Sequence, residues 1–376
     1  MRDSKFITDY FINFEENKCF KAGINQNLSS SIKKCVCNSN YIGEYCSIPK
    51  ILENATIEGA PVPISSYTLR SKPRRVISSL PFNHEFELLE ARLNDLNDVV
   101  DVFIIQESNF TNSGGRNELK LKKFLDEGKF RDKVIYLERT DPPSRGFIDG
   151  EYADGEMRRH LSQEGLKRLS EVKLDDLFIY NDSDEIPKAD ILLFLKLHDG
   201  FPHQIALNLI WSLYGFFWQV TPGKPRYDTA IMTIQFFRDF HQYDASRIRS
   251  DLYTKADAFA KYKEMDEDVL PLHIPRSGWH CSWCFSPEGI RKKLLDAPNS
   301  DFPRYGDYPG KTEPKYIERL IKYGLYFDLS PIGSGQMVNM TTDPEFAPPY
   351  ILQNKELFRN LLVNPYTNVE LPRVKR

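Results

Sequence analysis

From Arg75 onward, short apolar runs alternate with longer stretches of helical periodicity, and this alternation restricts the fold more than any other feature of the chain. It predicts an α/β domain with a mostly parallel central sheet flanked by helices. Such a sheet binds ligands beyond the carboxyl ends of its strands, so functional residues are expected directly after the apolar runs. The predicted strands are 76–82, 99–106, 134–137 and 176–180, and the predicted helices are 85–96, 118–130, 153–170 and 189–198.

The helix predicted at 85–96 has a clear amphipathic pattern. Asn83, one turn before the first apolar residue, is a possible N-cap. The apolar face of this helix is formed at spacings of three and four by Phe86, Leu88, Leu89, Leu93 and Leu96.

The apolar run at 207–218 is predicted to be one buried strand.

The charge balance excludes one class of partner. The 376 residues carry a formal net charge of −3, whereas nucleic-acid-binding domains present a basic face, so a nucleic-acid partner is excluded.

No stretch of the sequence reaches the roughly 18 apolar residues that span a bilayer. The first residues lack the charged and apolar regions of a signal peptide, so a membrane anchor, if the natural protein has one, is expected outside this sequence.

The pattern divides the chain into four parts. Residues 1–50 contain four of the six cysteines, and residues 51–74, with three prolines and no sustained period, are predicted to be a linker. Residues 75–345 are predicted to form the α/β domain, with residues 346–376 as a C-terminal extension packed on it. Because few contacts are expected to cross the linker, a chain that begins near Arg75 should fold alone and keep its function.

The cysteine spacing at 35–46 resembles the end of an epidermal-growth-factor-like module. That resemblance implies the bridges Cys37–Cys46 and Cys19–Cys35, with one pair of the full module missing. Small modules with little core depend on such bridges in oxidising compartments, which favours the lumen of the secretory pathway. The alternative is a reduced zinc knuckle.

An acidic motif follows the strand predicted at 176–180. Asp182 and Asp184 project to the same side of an extended chain, and paired carboxylates suit a divalent cation that holds a diphosphate. The residues after them do not follow a calcium-loop pattern, since Pro187 and Leu193 stand where such a loop needs glycine and glutamate. The alternative interpretation is an acidic surface turn.

Several longer motifs, in order from about residue 75 to Tyr366, resemble the β-1,4-mannosyl-glycoprotein 4-β-N-acetylglucosaminyltransferase family. The resemblance implies a GT-A fold in the Golgi lumen, a UDP-N-acetylglucosamine donor, Mn²⁺ or another divalent cation, and the core mannose of an N-linked glycan as acceptor. Asn181 and Ser183, and the pair at 155–156, depart from the expected pattern. The motifs are 83–89, 99–103, 107–111, 182–187, 212–218, 278–285, 287–290 and 301–307.

The resemblance also implies roles for single residues. Asn83 and Glu107 would bind the donor together with Asp182 and Asp184, and the two aspartates would hold the metal. His280 could complete the metal shell, although a structural histidine is an equal alternative.

Transfer from an α-linked nucleotide sugar to a β linkage inverts the anomeric carbon and requires a base on the acceptor hydroxyl. Glu288 is the first choice for this base because Pro287 opens a helix beside an aromatic segment. Asp301 is the rival. Glu288 could instead do no more than complement the helix dipole.

The four tryptophans lie in two segments. Trp279 and Trp283, beside His280, are predicted to bind the acceptor sugar, whereas Trp211 and Trp218 are predicted to be core. In the same segment as Trp279 and Trp283, the cysteines at 281 and 284 favour a disulfide over a zinc site or a redox pair.

Two other functions fit parts of the sequence. One is a transferase of the same fold with a different glycan acceptor. The other is a calcium-dependent glycan-binding or adhesion module, which would retain sugar without consuming the nucleotide donor.

Overall fold

A computed structural model describes residues 10–128, 130–147, 150–220, 229–248, 270–296, 305–338, 343 and 345–367. The described strands are β1 Phe11–Phe14, β2 Asn17–Phe20, β3 Tyr41–Ile42, β4 Ile48–Pro49, β5 Thr56–Ile57, β6 Ala60–Pro61, β7 Thr68–Leu69, β8 Val76–Phe82, β9 Val102–Ser108, β10 Val134–Arg139, β11 Leu177–Tyr180, β12 Glu185–Pro187, β13 His198–Asp199, β14 Gln204–Leu207, β15 Ile210–Leu213, β16 Thr229–Thr233, β17 Leu272–Ile274 and β18 Gly278–Ser282. The described helices are α1 Gln26–Ile32, α2 Phe86–Leu96, α3 Leu121–Glu127, α4 Gly150–Lys167, α5 Ala189–Leu197, α6 Ile234–His241, α7 Pro287–Asp296, α8 Pro314–Tyr323, α9 Pro349–Gln353 and α10 Arg359–Leu362.

Nine of the described strands form the central sheet, in the order β10-β9-β8-β11-β16-β14-β17-β5-β6. Strands β10, β9, β8 and β11 are parallel neighbours, and among the described strands of this sheet only β16 and β5 run against the rest. Helices α2, α3 and α5 pack on one face, and α4 and α6 pack on the other. The predicted α/β architecture with a mostly parallel sheet is therefore confirmed.

The side chains of β8 show how the two faces are built. Val76 and Leu80 point into the core beneath α2 and α5, whereas Ile77 points into the core beneath α4. This alternation follows from the two-residue period of a strand. Because both faces are covered, the strand is apolar or small at nearly every position, as parallel sheets require.

The predicted helix at 85–96 is confirmed as α2, with its apolar stripe buried. The proposed N-cap is wrong, because the helix starts two residues later than an N-cap at Asn83 would require. Glu85 is the N-cap residue, and its carboxylate accepts hydrogen bonds from the backbone of Asn83 and His84 at 3.1 Å each. A short acidic side chain can thus close the turn that leads from β8 into α2.

The apolar run at 207–218 is two strands and a turn, not one strand. β14 ends at Leu207 in the central sheet, and β15 begins a second sheet of order β12-β18-β15. Tyr214 has a φ of +63° directly after β15, which reverses the chain. The aromatic residues that follow are buried in a separate core with α7, α8 and the C-terminal residues Phe346 and Phe358.

The N-terminal cysteines form the two expected bridges, Cys19–Cys35 and Cys37–Cys46. The expectation that few contacts cross residues 51–74 is wrong. Leu52, Ala55 and Tyr67 are buried in the main core beneath the sheet, and β5 pairs with β17. Irregularly spaced apolar residues have no period to recognise in the sequence, but each is buried on its own.

We expect Leu52→Ala to lower the free energy of unfolding by roughly 2–5 kcal/mol, because the substitution leaves a cavity in the main core. Leu52 is fully buried although it lies in the segment predicted to be a linker. Glu53→Ala is the matched control, since Glu53 is exposed in the same short helical turn. Chemical denaturation measures both, and equal small effects would show that the segment does not stabilise the domain.

Candidate active site

The acidic motif lies at the carboxyl end of β11, in the middle of the central sheet. The end of β8 is its parallel neighbour, so the turn at residues 83–85 and the loop at residues 181–184 are brought together. The loop is largely buried. The Asp184 side chain is 8% exposed and that of Asp182 is 28% exposed.

Arg92 on α2 holds this acidic loop from below. Its guanidinium donates to the backbone carbonyls of Asp182 (3.2 Å) and Glu185 (2.7 Å). It also donates to Asn181 Oδ1 (2.6 Å) and to Ser78 Oγ (2.8 Å). Burial lowers the pKa of Arg92 to about 10, against the opposing effect of the carboxylates of Glu185, Asp182 and Asp184. The group therefore stays charged at neutral pH.

The loop also satisfies its own polar groups. Asn181 Nδ2 donates to the Glu185 carbonyl at 2.6 Å, and Glu185 Oε2 accepts from the Asp182 amide at 2.9 Å. Ser183 Oγ donates to the Pro81 carbonyl at 2.6 Å, which links the loop to β8. Asn181 and Ser183, which differ from the pattern expected from the sequence resemblance, thus help to position the two aspartates.

Each aspartate is paired with a cationic side chain. Asp182 Oδ1 lies 3.1 Å from Arg158, which also contacts Asp154 and the Tyr180 hydroxyl. Asp184 Oδ2 lies 3.0 Å from Lys293 Nζ on α7.

Lys293 is also 3.7 Å from Glu85 at the N-cap of α2. Burial lowers the pKa of Lys293, but the carboxylates of Asp184 and Glu85 outweigh this effect and raise the pKa above its usual range. A cleft of about 340 Å³ opens between this turn and the start of α7, and its lining includes His84, Glu85, Phe285 and Gly289.

His280 lies at the edge of the acidic loop. Its Nε2 is 3.9 Å from Asp184 Oδ1 and 2.8 Å from Ser282 Oγ. Trp211 Nε1 donates to the same Ser282 hydroxyl at 2.9 Å, and the Trp211 ring is roughly parallel to the imidazole. His280 and Trp211 thus form one polar face of the second sheet beside the acidic loop.

The tryptophans are arranged differently from the sequence expectation. Trp279 is 5% exposed, and its Nε1 donates to the Glu345 carbonyl in the core. Trp218 is buried as predicted, but Trp211 is half-buried beside His280. Trp283 is half-buried and lies beneath the Lys293 ammonium, 5.6 Å from Nζ to the ring centroid. The alternation of β18 explains this, because Trp279 and His280 point to opposite faces.

Glu107 and Asn83, the two residues outside the loop that were predicted to bind the sugar donor, differ in their surroundings. Glu107 is fully buried, and its carboxylate accepts from the amides of Lys120 and Leu121 and from the Tyr136 hydroxyl. These contacts favour a structural role at the start of α3. Asn83 Oδ1 is buried without a hydrogen-bond partner at the end of β8.

Of the two predicted bases, Glu288 is described, and it does not contact the acidic loop. Glu288 is exposed on the first turn of α7, about 140° around the helix axis from Lys293. Asp301 lies outside the described residues.

The disulfide favoured for the last two cysteines is confirmed as Cys281–Cys284. The Cys281 amide donates to the Asp184 carbonyl at 3.0 Å, so β18 is attached to the acidic loop. The bridge then connects β18 to the turn that begins α7, the helix that carries Lys293. One short covalent link thus fixes both partners of the Asp184–Lys293 pair.

The sequence did contain signals for the missed cationic residues. Arg92 lies three residues after Leu89 and four after Leu88, within the apolar stripe of α2. Lys293 lies between Ile290 and Leu294 on the buried side of α7. A cation in an apolar stripe needs a buried partner, because an unpaired buried charge is very costly.

The carboxylate oxygens of Asp182 and Asp184 suit a divalent cation that also binds a ligand. Among the described residues, no three His, Cys, Asp or Glu side chains lie close enough to hold a metal by themselves. Carboxylates that leave several positions to water and phosphate are typical of sites for a hard cation bound with a nucleotide.

The net charge of the side chains around the acidic loop also suits a divalent cation. Among the described residues, five carboxylates of this cluster face three cationic groups, which leaves an excess of two negative formal charges. The carboxylates are Asp154, Asp182, Asp184, Glu85 and Glu185, and the cationic groups are Arg92, Arg158 and Lys293.

A mostly parallel α/β sheet with an acidic loop at a strand end is the arrangement expected of a glycosyltransferase, and sequence comparison places the chain in that class. Residues 45–291 match the profile of glycosyltransferase family 17. The chain therefore belongs to glycosyltransferase family 17.

Relatives with assigned names support this membership. The chain is 40% identical over 348 residues to the β-1,4-mannosyl-glycoprotein 4-β-N-acetylglucosaminyltransferases of Rattus norvegicus and Homo sapiens. The alignment covers 89% of this chain and 62% of each relative, so the chain spans less than two thirds of their length.

Among solved structures, a mannosyltransferase from Pyrobaculum calidifontis in complex with GDP-Man and Mn²⁺ matches with a TM-score of 0.33 and 10% identity, over 64% of this chain and 67% of that one. The glycosyltransferase GlyE of Streptococcus pneumoniae matches with a TM-score of 0.29 and 11% identity, over 53% and 45%.

We expect Arg92→Met to lower the free energy of unfolding by roughly 3–5 kcal/mol, because it leaves two loop carbonyls and Asn181 without their buried donor. Arg92→Lys should restore only part of this, since an ammonium cannot reproduce the fork of the guanidinium. Arg291→Met on the exposed side of α7 is the control. Denaturation curves decide, and an Arg92→Met effect as small as the control would contradict the role given to Arg92.

Proposed function

We propose that this protein transfers N-acetylglucosamine from UDP-N-acetylglucosamine in β-1,4 linkage to the core β-mannose of N-linked glycans. Membership of glycosyltransferase family 17 and 40% identity to transferases of that name support the activity. The observation that carries the proposal is the Asp182 and Asp184 pair, held rigidly at the carboxyl end of β11. We further propose that the sheet belongs to the GT-A type.

Asp182 and Asp184 would hold Mn²⁺ or another divalent cation together with the donor diphosphate, with His280 at the edge of the site. When bound, the cation would supply Lewis acidity that neutralises the charge growing on the leaving diphosphate. Arg158 is fixed by its contacts with Asp154 and Tyr180, so it keeps Asp182 oriented.

The donor and acceptor would approach the loop from its open side. Asn83 Oδ1, buried without a partner beside the loop, is suited to accept a hydrogen bond from the donor. We do not include Glu107 among the donor contacts, because its oxygens already bond to α3 and Tyr136. Trp283 and the cleft beside Glu85 would contact sugar, and Trp211 replaces Trp279 as the second aromatic side chain near the acceptor.

We propose Glu288 as the general base, with Asp301 as its rival. In an inverting displacement the base and the leaving group lie on opposite sides of the anomeric carbon, so the base need not touch Asp184. Glu288 is exposed at the start of α7 and could reach an acceptor hydroxyl. Glu288→Gln and Asp301→Asn, made one at a time, show which carboxylate is required for turnover.

We propose that the protein acts in the Golgi lumen. Three disulfides in the described structure suit an oxidising compartment of the secretory pathway. None of the described helices combines the length and the apolar character needed to cross a bilayer.

The function is tested by incubating the protein with Mn²⁺, a biantennary N-glycan and each of several UDP-sugars. We expect a mass increase of one N-acetylhexosamine on the glycan with UDP-N-acetylglucosamine, and release of UDP. Transfer to another glycan alone would indicate a different acceptor. Retention of the glycan without any release of UDP would support the calcium-dependent binding module instead.

We expect a chelator to abolish transfer and Mn²⁺ to restore it, because two carboxylates cannot hold a diphosphate without a cation between them. Asp184→Asn should lower kcat/KM about a hundredfold or more. Asp175→Asn, an exposed aspartate paired with Arg70, is the control and should leave turnover unchanged. Full activity in chelator would refute the metal role, whatever the acceptor proves to be.

A further inference from the structure

Lys293 occupies an unusual place in the proposed donor site. Its ammonium lies 3.0 Å from Asp184 Oδ2 and 3.7 Å from Glu85 Oε1, and it is 20% exposed. The rings of Trp283 and Phe285 lie beneath it, with centroids 5.6 and 5.4 Å from Nζ. The lysine is therefore held between carboxylates and aromatic faces, with one side open.

The Lys293 ammonium contacts Asp184 Oδ2, an oxygen that a metal ion bound to Asp184 would need. An ammonium and a divalent cation that both contact one carboxylate lie close together and repel each other strongly, since little water lies between them to screen the charges. Asp184 is 8% exposed and its neighbour His280 is 3.9 Å away, so the carboxylate has little freedom to turn to another side. A metal on Asp184 Oδ2 thus requires the ammonium to move.

The two cationic side chains that pair with the Asp182 and Asp184 carboxylates differ in their freedom to move. Arg158 is fixed by Asp154, Asp182 and the Tyr180 hydroxyl, and it is 11% exposed. Lys293 has a flexible stem and one compact charge, and it forms ion pairs with two carboxylates of the site itself. Of the two, Lys293 is suited to exchange its partner.

We propose that Lys293 is an exchangeable counter-ion of the donor site, which neutralises Asp184 before the donor binds and contacts the donor diphosphate once the metal has taken Asp184. This inference rests on the metal-dependent site proposed above and adds a residue to it. A lysine is a common partner of phosphate as a point charge, so the same ammonium can serve both states. The lysine would weaken metal binding alone and strengthen metal binding together with nucleotide.

Lys293→Met tests this, because methionine keeps the unbranched apolar stem and removes the charge. Mn²⁺ affinity is measured without nucleotide by the electron paramagnetic resonance of free Mn²⁺, and UDP affinity is measured by calorimetry at saturating Mn²⁺. We expect the variant to bind Mn²⁺ about tenfold more tightly or better, and UDP about tenfold more weakly. Lys292→Met is the control, since Lys292 is 44% exposed and pairs with Asp296 on the same helix.

The location of the effect is tested with Lys293→Met combined with Asp184→Asn, in which the gain in Mn²⁺ affinity should disappear. If Lys293→Met does not fold, Lys293→Arg keeps the charge and should bind Mn²⁺ like the wild type, while Lys293→Gln should bind it more tightly. Mn²⁺ affinity that is unchanged or weaker in the neutral variants overturns the proposal. The transfer assay on the wild type decides the enzyme function separately, because metal affinity is read without any sugar.

Discussion

The buried guanidinium of Arg92 is the interaction on which the proposed site depends. It ties the apolar face of α2 to the loop after β11 through two backbone carbonyls and Asn181. Burying a charge in a core is costly unless it is hydrogen-bonded, and here the loop and Ser78 accept from both terminal nitrogens, while Nε is buried without a partner. Because moving the loop would leave the buried guanidinium without these hydrogen bonds, the backbone of Asp182 and Asp184 is held in one conformation. The two carboxylates are therefore positioned before any ligand binds.

Around this fixed backbone, the electrostatics of the site rest on side chains from four elements. Arg158 comes from α4, Lys293 from α7, Glu85 from the N-cap of α2, and His280 from β18. The Cys281–Cys284 bridge and the hydrogen bond from Cys281 to Asp184 keep α7 and the loop at a fixed distance. The cluster retains excess negative charge, which suits a site that completes itself with a cation and a nucleotide.

The sequence predicted features that depend on local periodicity. The strand and helix alternation, the buried stripe of α2 and the acidic motif at a strand end follow from spacing along the chain. The two N-terminal bridges were expected from the resemblance to an epidermal-growth-factor-like module, and the third was favoured over a zinc site or a redox pair. The roles of Arg92 and Lys293 could not be predicted in this way, since their partners are 89 to 93 and 109 residues away along the chain.

Other features were missed because short segments carry no period. β5 and β6 have two residues each, yet they extend the central sheet. The second sheet decided which tryptophans face the acidic loop. Trp279 pairs with Ile186 on the core side of β18, whereas His280 pairs with Trp211 on the other side.

The central claim is that Asp184 at the end of β11 holds the catalytic cation and exchanges Lys293 for it. The most direct measurement is the anomalous diffraction signal of manganese in crystals grown with Mn²⁺ and UDP. We expect a peak bonded to Asp184, with the Lys293 ammonium moved from this carboxylate to the diphosphate. A peak elsewhere, or bound UDP with Lys293 still paired to Asp184, would contradict the account.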